Sequence, residues 1–522
     1  MESACLRHTM IPHTSRLFAD FTYHFERVAQ FYGHSPEDFT RAAEELDYQD
    51  ARRASLVDAL REQNGDTPLL DSLAQPGTVA VVTGQQAGLF TGPAYTVYKA
   101  LTAVRLAREL TRRGMNAVPV FWLATEDHDF AEVAKAWTFD SGHRPVELEV
   151  AGPGVSQRPV GSIRPDSFPT AELAGSLRGF PHGSEISEMV ARSYRPGATL
   201  CDAFKALLQS ILGDYDLLYV DPLRPAVRNI GAPLLARALE DAGDLKTSLL
   251  ERNRALEAAG YHAQVHLEPQ TSLFFLLEDA RRMTLRRQDN EYVSKDRRYS
   301  PDALANRASD LSPNALLRPV MQDYILPTVA YIGGPAEMAY LGQSEVIYRT
   351  LLGRMPVVRP RAGFTLLDAR AAKLLARYQL DLTDVFEGAD PLCERIARTL
   401  VPEHVGKAFH ATAAEVGARI ERLESELKSF DPTLSVALEK SRSKILHQIG
   451  KLERKVARET MRRHERAQSD AAFLTNLVFP HRHLQERLYC ILPFLAQHGM
   501  DLIGKLYDNV HLDCHDHQVL TV

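Results

Sequence analysis

One segment constrains the fold of this chain more than any other: TVAVVTGQQAGLFTGPAYTVYKALTAVRLARELTRRGMNAVPVFWLATEDHD, from Thr78 to Asp129. Val79 to Val82 is a valine-rich run stopped by Thr83-Gly84, the pattern of a short buried strand. Pro93 suits the first turn of a helix, where an N–H has no partner to lose. Tyr95, Tyr98, Leu101, Val104 and Leu106 then recur at helical spacing up to Gly114. A second apolar run follows from Val118 to Ala124. Strand, helix and strand at these lengths predict a βαβ unit with parallel strands and a right-handed crossover. Both strand ends, TGQQAG and TEDHD, then open on one edge of the sheet, the edge at which open α/β sheets bind ligands.

The pattern continues. YDLLYVDP around Tyr219, SLFFLLE around Phe274, and LPTVAYIGGPAEMAYLGQSEVIYRTLLG before MPVVRPRAGF supply further α/β material. At Tyr331 an apolar strand again runs into glycines and a proline-started helix, so GGPAEMAY at Gly333 echoes TGPAY at Thr91. Gly152 to Pro181, rich in proline and glycine, reads as an irregular insertion. After Asp368 the composition shifts to Ala, Leu, Glu, Lys and Arg. Val416, Ile420, Leu423 and Leu427 are spaced four, three, four; SFDPT marks a turn; Ile445, Ile449, Leu452 and Val456 repeat the spacing. This predicts an antiparallel helical hairpin with coiled-coil seams and a longer second arm. Each seam covers about two heptads, so helices laid on a core are the alternative. The segment from Cys490 turns apolar again. At 522 residues the chain exceeds what one core usually supports. The expected organisation is a core with insertions over 1–372, a helical coiled-coil domain over 373–478 and a C-terminal return to the core over 479–522.

Charge and composition exclude several function classes. The 61 basic and 67 acidic side chains sum to −6 and leave no global footprint for nucleic acid. The basic run EKSRSKILHQIGKLERKVARETMRRHER has acids mixed into it, as a solvated helix face does. No stretch reaches the roughly 20 apolar residues of a membrane span, and MESACLRHTMIPHTSRLF lacks an unbroken apolar segment. No membrane association is expected, and a cytoplasmic location is. Cys5, Cys201, Cys393, Cys490 and Cys514 are scattered without a CxxC pair, the pattern of reduced thiols.

Four segments carry candidate chemistry. In TGQQAGLFTG, glycine lets the backbone approach a ligand and the amides at the helix start offer an anion site. Neither GxGxxG nor a P-loop pattern is present, and an ordinary strand-to-helix loop is the alternative. Gln85 and Gln86, adjacent amides at a strand end, suit the orientation of a polar substrate. TEDHD sets Glu126, Asp127, His128 and Asp129 in succession, with Glu132 close behind. One reading is a helix N-terminus with Asp127 or Asp129 as cap and Glu132 in the first turn. The other is a reaction site, in which carboxylates raise the histidine pKa and His128 acts as general base or acid. The same oxygens could hold Mg²⁺ between phosphates, whereas four consecutive residues point in different directions and do not suit one tetrahedral zinc. In that reading His128 and Asp129 carry the chemistry and Glu132 belongs to the helix.

SPNALLRPVMQDYILPT places Asn314, Arg318 and Gln322 on one helical face, with Ser312 as cap and Pro313 as first residue. Arg318 is then a carboxylate or phosphate fork, or a plain surface charge. In the tail HLDCHDHQV, Asp513, His515 and His517 would share one face of an extended strand and Cys514 the other. A polar-faced terminal strand is preferred to a zinc site built from a subset of these with His511, and no metal site is assigned.

VVTGQQAGLFTGPAYTVYKA, FWLATEDHDFAEV, SPNALLRPVMQDYILPTVAYIGGPAEMAYLGQ, MPVVRPRAGFTLLD and LVFPHRHLQERL run in order over most of the chain. With them it resembles the bacillithiol biosynthesis cysteine-adding enzymes, the BshC family. The resemblance implies an α/β fold: a Rossmann-like, nucleotidylyltransferase-like parallel-sheet core with inserted connecting segments and a protruding antiparallel α-helical coiled coil, through which a homodimer assembles. It implies a ligase joining cysteine by an amide bond to the amino sugar of glucosaminyl malate, the last step in making a low-molecular-weight thiol. ATP is the expected activating nucleotide and Mg²⁺ a candidate cofactor. On matching positions the pocket is expected to comprise Gln85, Gln86, Tyr95, His128, Asp129, Asn314, Arg318 and Glu337. Gly84, Glu126, Gln322 and Tyr340 stand beside them as candidate substrate contacts, and Asp127 as a partner of His128. The HxGH motif of nucleotidylyltransferases is absent where TGPAY stands, VSKD at Ser294 is a faint counterpart of KMSKS, and Ala336 stands where the family is expected to have glycine. The rival expectations are a nucleotidylyltransferase acting on another small acceptor, and a non-catalytic coiled-coil scaffold with a metabolite-sensing pocket.

Overall fold

The computed structural model describes residues 2–152, 157–268, 270–288, 291–295, 297–431 and 433–522. Residues 153–156 of the Pro/Gly-rich insertion, the last residue of VSKD and the proline of SFDPT lie outside the described residues. The chain divides into two compact units, 2–365 with 486–520, and 366–485 with residues 521–522. The larger unit thus ends at Thr365 and resumes at Glu486, where the sequence reading set 372 and 479.

The larger unit is built on a five-stranded sheet of β1 (Val79–Gln85), β2 (Ala117–Leu123), β3 (Leu218–Val220), β4 (Thr328–Gly333) and β5 (Val357–Pro360), in the spatial order β5-β4-β1-β2-β3. Every neighbouring pair is parallel. Helix α1 (Tyr95–Arg112) joins β1 to β2, as the periodicity predicts. Further along come α2 (Pro225–Glu240), α3 (Arg318–Ile325) and α4 (Pro335–Leu351), the last joining β4 to β5. Alternation along β1 divides its valines. Val81 packs with Leu106 and Leu110 of α1 and with Val329 and Ile332, while Ala80 and Val82 pack on the other face with Leu56, Leu60 and Val227. A fully buried Val or Leu contributes about 1.5–3 kcal/mol, so covering both faces is what holds this sheet.

The chain winds from β1 outward through β2 to β3, then returns to the other side of β1 for β4 and β5. The order therefore reverses between β1 and β4, the topological switch point where ligand crevices of open α/β sheets lie.

Between β3 and β4 a second sheet is inserted, in the order Arg297–Tyr299, Glu291–Ser294, Arg281–Gln288, Thr271–Glu278 and Leu311–Pro313, antiparallel throughout. The SLFFLLE strand belongs here and not to the parallel sheet. Ser312 and Pro313 pair with Phe275 and Phe274 as strand residues, so the expected helix start at Pro313 gives way to sheet pairing and α3 begins at Arg318.

In the smaller unit, α5 (Glu403–Phe430) and α6 (Leu434–Arg462) form the helical hairpin, bridged by a hydrogen bond from Arg442 to Glu421 of 3.2 Å. The arms are of nearly equal length, 28 and 29 residues, because the chain breaks at His464 before the next helix, Glu465–Val478. Val416, Ile420, Ile449 and Val456 are half-buried along the seam. Leu423, Phe430, Val436, Ile445 and Leu452 remain exposed in the single chain.

Candidate functional site

A cavity of about 380 Å³ occupies the switch point. Its wall starts at the end of β1 with Gly84, Gln85 and Gln86, and continues with Tyr95 and Lys99 of α1. Arg318 and Gln322 of α3 enter from one side, and Tyr331, Glu337 and Tyr340 from β4 and α4. Arg361 and Arg487 complete it. Gly84 is required by a close approach: a Cβ there would stand 2.7 Å from the Trp122 carbonyl oxygen of β2.

Two buried ion pairs shape the interior. Lys99 lies on an otherwise apolar helix face, 2% exposed, and its Nζ donates to the Gly84 carbonyl (3.0 Å) and Gln85 Oε1 (2.8 Å) and sits 2.6 Å from Glu337 Oε2. Glu337, in the first turn of α4, also accepts the Gly334 N–H at 2.7 Å and the Tyr331 hydroxyl at 2.8 Å. Burial would raise its pKa, but the Lys99 charge and these donors hold the carboxyl below its usual value. Burial pulls Lys99 down while Glu337 opposes it, and the pair stays charged because each ion is fully hydrogen-bonded. Behind Tyr95, Arg361 donates to both oxygens of Glu486, at 2.5 and 2.9 Å, with its guanidinium 5.0 Å from the Tyr95 ring centre.

Two cations remain uncommitted. Arg318 Nη2 donates to the Tyr340 hydroxyl at 2.9 Å, and no carboxylate among the described residues forms an ion pair with it. Burial works against its charge, but Tyr340, Tyr331 and Glu337 outweigh that and raise its pKa. Arg487 stands exposed at the rim, likewise without an acid among the described residues. Across the opening, Gln86 Nε2 donates to Glu132 Oε2 (2.9 Å) and to Asp127 Oδ2 (2.7 Å). The cavity therefore presents surplus positive charge beside one exposed carboxylate.

TEDHD follows directly on Ala124 of the wall but is differently engaged. Glu126 is buried in an ion pair with Arg228 of α2, which also holds the Ser309 and Leu311 carbonyls at 2.6 and 2.7 Å. Arg282, from the antiparallel sheet, donates to Ser312 Oγ (3.0 Å), the Pro313 carbonyl (2.8 Å) and His128 Nδ1 (3.1 Å), and lies 3.6 Å from Asp127. An arginine only donates, so Nδ1 carries the lone pair and Nε2 the proton. Burial and then the Arg282 charge lower the His128 pKa, leaving the imidazole neutral. The expectation of a histidine raised by its carboxylates is overturned, because burial and then a guanidinium from a distant strand outweigh them. Asp127 would be raised by burial, but Arg282 and hydrogen bonds from Gln86 and the following amides lower it. Asp129 caps the short helix Phe130–Val133, accepting the Glu132 N–H at 3.3 Å.

Of the residues singled out in the sequence, Gly84, Gln85, Gln86, Tyr95, Arg318, Gln322, Glu337 and Tyr340 line the cavity. Glu126, Asp127, His128 and Asp129 do not, and Asn314 instead folds its side chain back to accept the Leu316 and Leu317 N–H groups, each at 3.0 Å. Glu132, assigned to the helix alone, is on the wall. Lys99, Tyr331, Arg361 and Arg487 were missed. A lysine amid the apolar face of α1 was the available signal for the first, and nothing local marks Arg487. In the tail, the strand starts at His517, so Asp513 and His515 do not lie on it. His517 is buried 2.8 Å from Thr365 Oγ1, and no metal-binding group of three or more His, Cys, Asp or Glu forms among the described residues.

Fold and site together define a Rossmann-like α/β protein with a crevice of surplus positive charge at its switch point and a helical-hairpin unit. The chain belongs to the BshC family: the family's N-terminal Rossmann-like domain matches residues 1–362 and its C-terminal coiled-coil domain residues 364–522. Among curated relatives, the "Putative cysteine ligase BshC" of Solibacter usitatus is 54% identical over all of both chains. Proteins of the same description from Koribacter versatilis and Salinibacter ruber are 36% identical (99% of each chain) and 33% identical (97% of this chain, 96% of theirs). Among solved structures, an arginyl-tRNA synthetase from Campylobacter jejuni, itself titled putative, matches at TM-score 0.22 and 10% identity over 88% of this chain and 98% of that one, a likeness too low to carry an argument.

Proposed function

We propose that the crevice joins cysteine by an amide bond to the amino sugar of glucosaminyl malate, the last step in making a low-molecular-weight thiol. The carrying observation is the pair of uncommitted guanidinium groups, Arg318 and Arg487, in a cavity otherwise balanced by ion pairs. Both substrates bring carboxylates, and ATP brings phosphates, which such forks bind. ATP supplies the leaving group that turns the cysteine carboxylate into an acyl donor. Mg²⁺ would in this reading screen the phosphate charge of ATP.

The protein's own part is placement. Arg318 and the Tyr340 hydroxyl hold the anionic group, Gln85 and Gln86 orient polar substrate atoms, and the Lys99–Glu337 pair fixes the wall between them. As the amine attacks the activated carbonyl, its proton passes to Glu132, which Gln86 orients toward the opening. His128 is a poor base in this arrangement because Arg282 takes its lone pair. Incubation of the protein with cysteine, glucosaminyl malate and ATP should yield the cysteinyl amide by mass spectrometry. No product with any nucleoside triphosphate would refute the reading, and pyrophosphate release independent of cysteine would favour transfer to another acceptor.

The exposed apolar residues Leu423, Phe430, Val436, Ile445 and Leu452 support a homodimer formed through the coiled coil. No helix among the described residues is long and apolar enough to cross a membrane, and a cytoplasmic location goes with this reading.

A further inference from the structure

We propose that Cys5 and Cys514 form a redox-active dithiol, at which a low-molecular-weight disulfide converts two thiols into one intramolecular disulfide. Cys5 lies on the first strand, Glu2–Leu6, and is exposed; Cys514 is half-buried three residues before the last strand, His517–Thr521. The two thiols meet at one side chain. Cys5 Sγ donates to Gln518 Oε1 at 3.6 Å, and Gln518 Nε2 donates to Cys514 Sγ at 4.0 Å. The other cysteines differ: Cys201 and Cys490 are buried, and Cys393 is half-buried in the smaller unit.

The difference in exposure orders the chemistry. The Cys5 thiolate attacks one sulfur of the small disulfide, forming a mixed disulfide and expelling one small thiol. Cys514 then attacks the Cys5 sulfur, closing the protein disulfide and expelling the second small thiol. Two protein thiols are oxidised, one small disulfide is reduced, and the protons leave with the small thiols. Burial and the neighbouring Cys5 raise the Cys514 thiol, which suits it to the resolving step over the first attack.

The closed bond would tie the N-terminal strand to a segment that packs beside the cavity wall. Cys514 borders a recess shared with Arg359, Arg361 and Ala362, and Gln518 N donates to the Gly363 carbonyl at 2.8 Å. Arg361 is itself a wall residue of the crevice. The proposal stands independently of the ligase reading, since it needs only the thiols and a small disulfide.

The test uses the full reduced chain with cystine as oxidant and peptide mapping without reduction. Wild type is expected to show a Cys5–Cys514 linked peptide, two hydrogens lighter than its parts and released by dithiothreitol. Cys514→Ser should accumulate the mixed disulfide at Cys5, and Cys5→Ser should leave Cys514 largely unmodified. The thermal midpoint should rise on oxidation of wild type and of neither variant. A persistent mixed disulfide at Cys5 in wild type without a linked peptide, or no reaction at cystine concentrations that modify the unfolded chain, would overturn the assignment.

Discussion

The TEDHD turn after β2 and the crevice between β1 and β4 lie side by side, draw on the same residue types and handle charge in opposite ways. At the β2 end Glu126 has Arg228, Asp127 and His128 have Arg282, and Asp129 has a helix to cap. At the crevice Lys99 answers Glu337 and Arg361 answers Glu486, but Arg318 and Arg487 answer nothing within the described protein. The difference teaches that a crowd of ionisable side chains marks a site less well than an imbalance among them. A matched cluster has its hydrogen-bonding capacity already used, and an unmatched one still has it to offer.

The comparison breaks first at its strongest pair. Glu126→Ala strands the buried Arg228 charge and should cost about 3–5 kcal/mol of unfolding free energy in denaturant titration. If TEDHD is an anchor, the folded fraction keeps its substrate affinity; selective loss of affinity at unchanged stability would make it part of the site. Acid probes the histidine behind the crevice. Burial pushes His517 down to about 4, against about 6.5 unfolded. The unfolded chain thus takes up the proton first, so stability is full above about pH 6.5 and falls by about 3 kcal/mol as pH drops toward 4. His517→Gln should flatten that slope, as followed by thermal midpoints across the range. His128, also lowered, has the same sign.

At the uncommitted cation, Arg318→Ala should weaken binding of the anionic substrate by about 1.5–3 kcal/mol, roughly 10- to 150-fold in Kd by calorimetry. The thermal midpoint should hold or rise, because no ion pair is broken. Arg318→Lys keeps the charge but loses the fork and should fall between. Smallest is Asp129→Ala, which removes a cap and should cost about 1 kcal/mol with activity of the folded enzyme intact. An inactive but fully stable variant would return Asp129 to the chemistry.

Local pattern revealed much of this architecture. The β1–α1–β2 unit follows from continuous apolar runs, which strands covered on both faces need, and from the helical spacing between them. The echo of TGPAY in GGPAEMAY identified the two junctions that flank the crevice, but not their adjacency. Strand order is a tertiary outcome, and β4 sits beside β1 where the sequence reading had set only the β2 end. Arg228 and Arg282 reach TEDHD from more than a hundred residues downstream, so nothing near His128 could reveal that its pKa goes down. Pairing of Leu311–Pro313 with Phe274–Leu276 likewise overrode a good local helix signal at Ser312. Helical spacing offered Arg318 and the family resemblance added Tyr95 and Glu337; Lys99 left only its place amid an apolar helix face as a signal, and Arg487 needed the fold.

The uncommitted guanidinium of Arg318 has a practical corollary for anyone handling the protein. If that fork, with no ion-pairing carboxylate among the described residues, takes an anion from its surroundings, phosphate or sulfate in a preparation acts as a competitor and not as an inert medium. Activity compared between buffers would then track their anions before it tracks their pH.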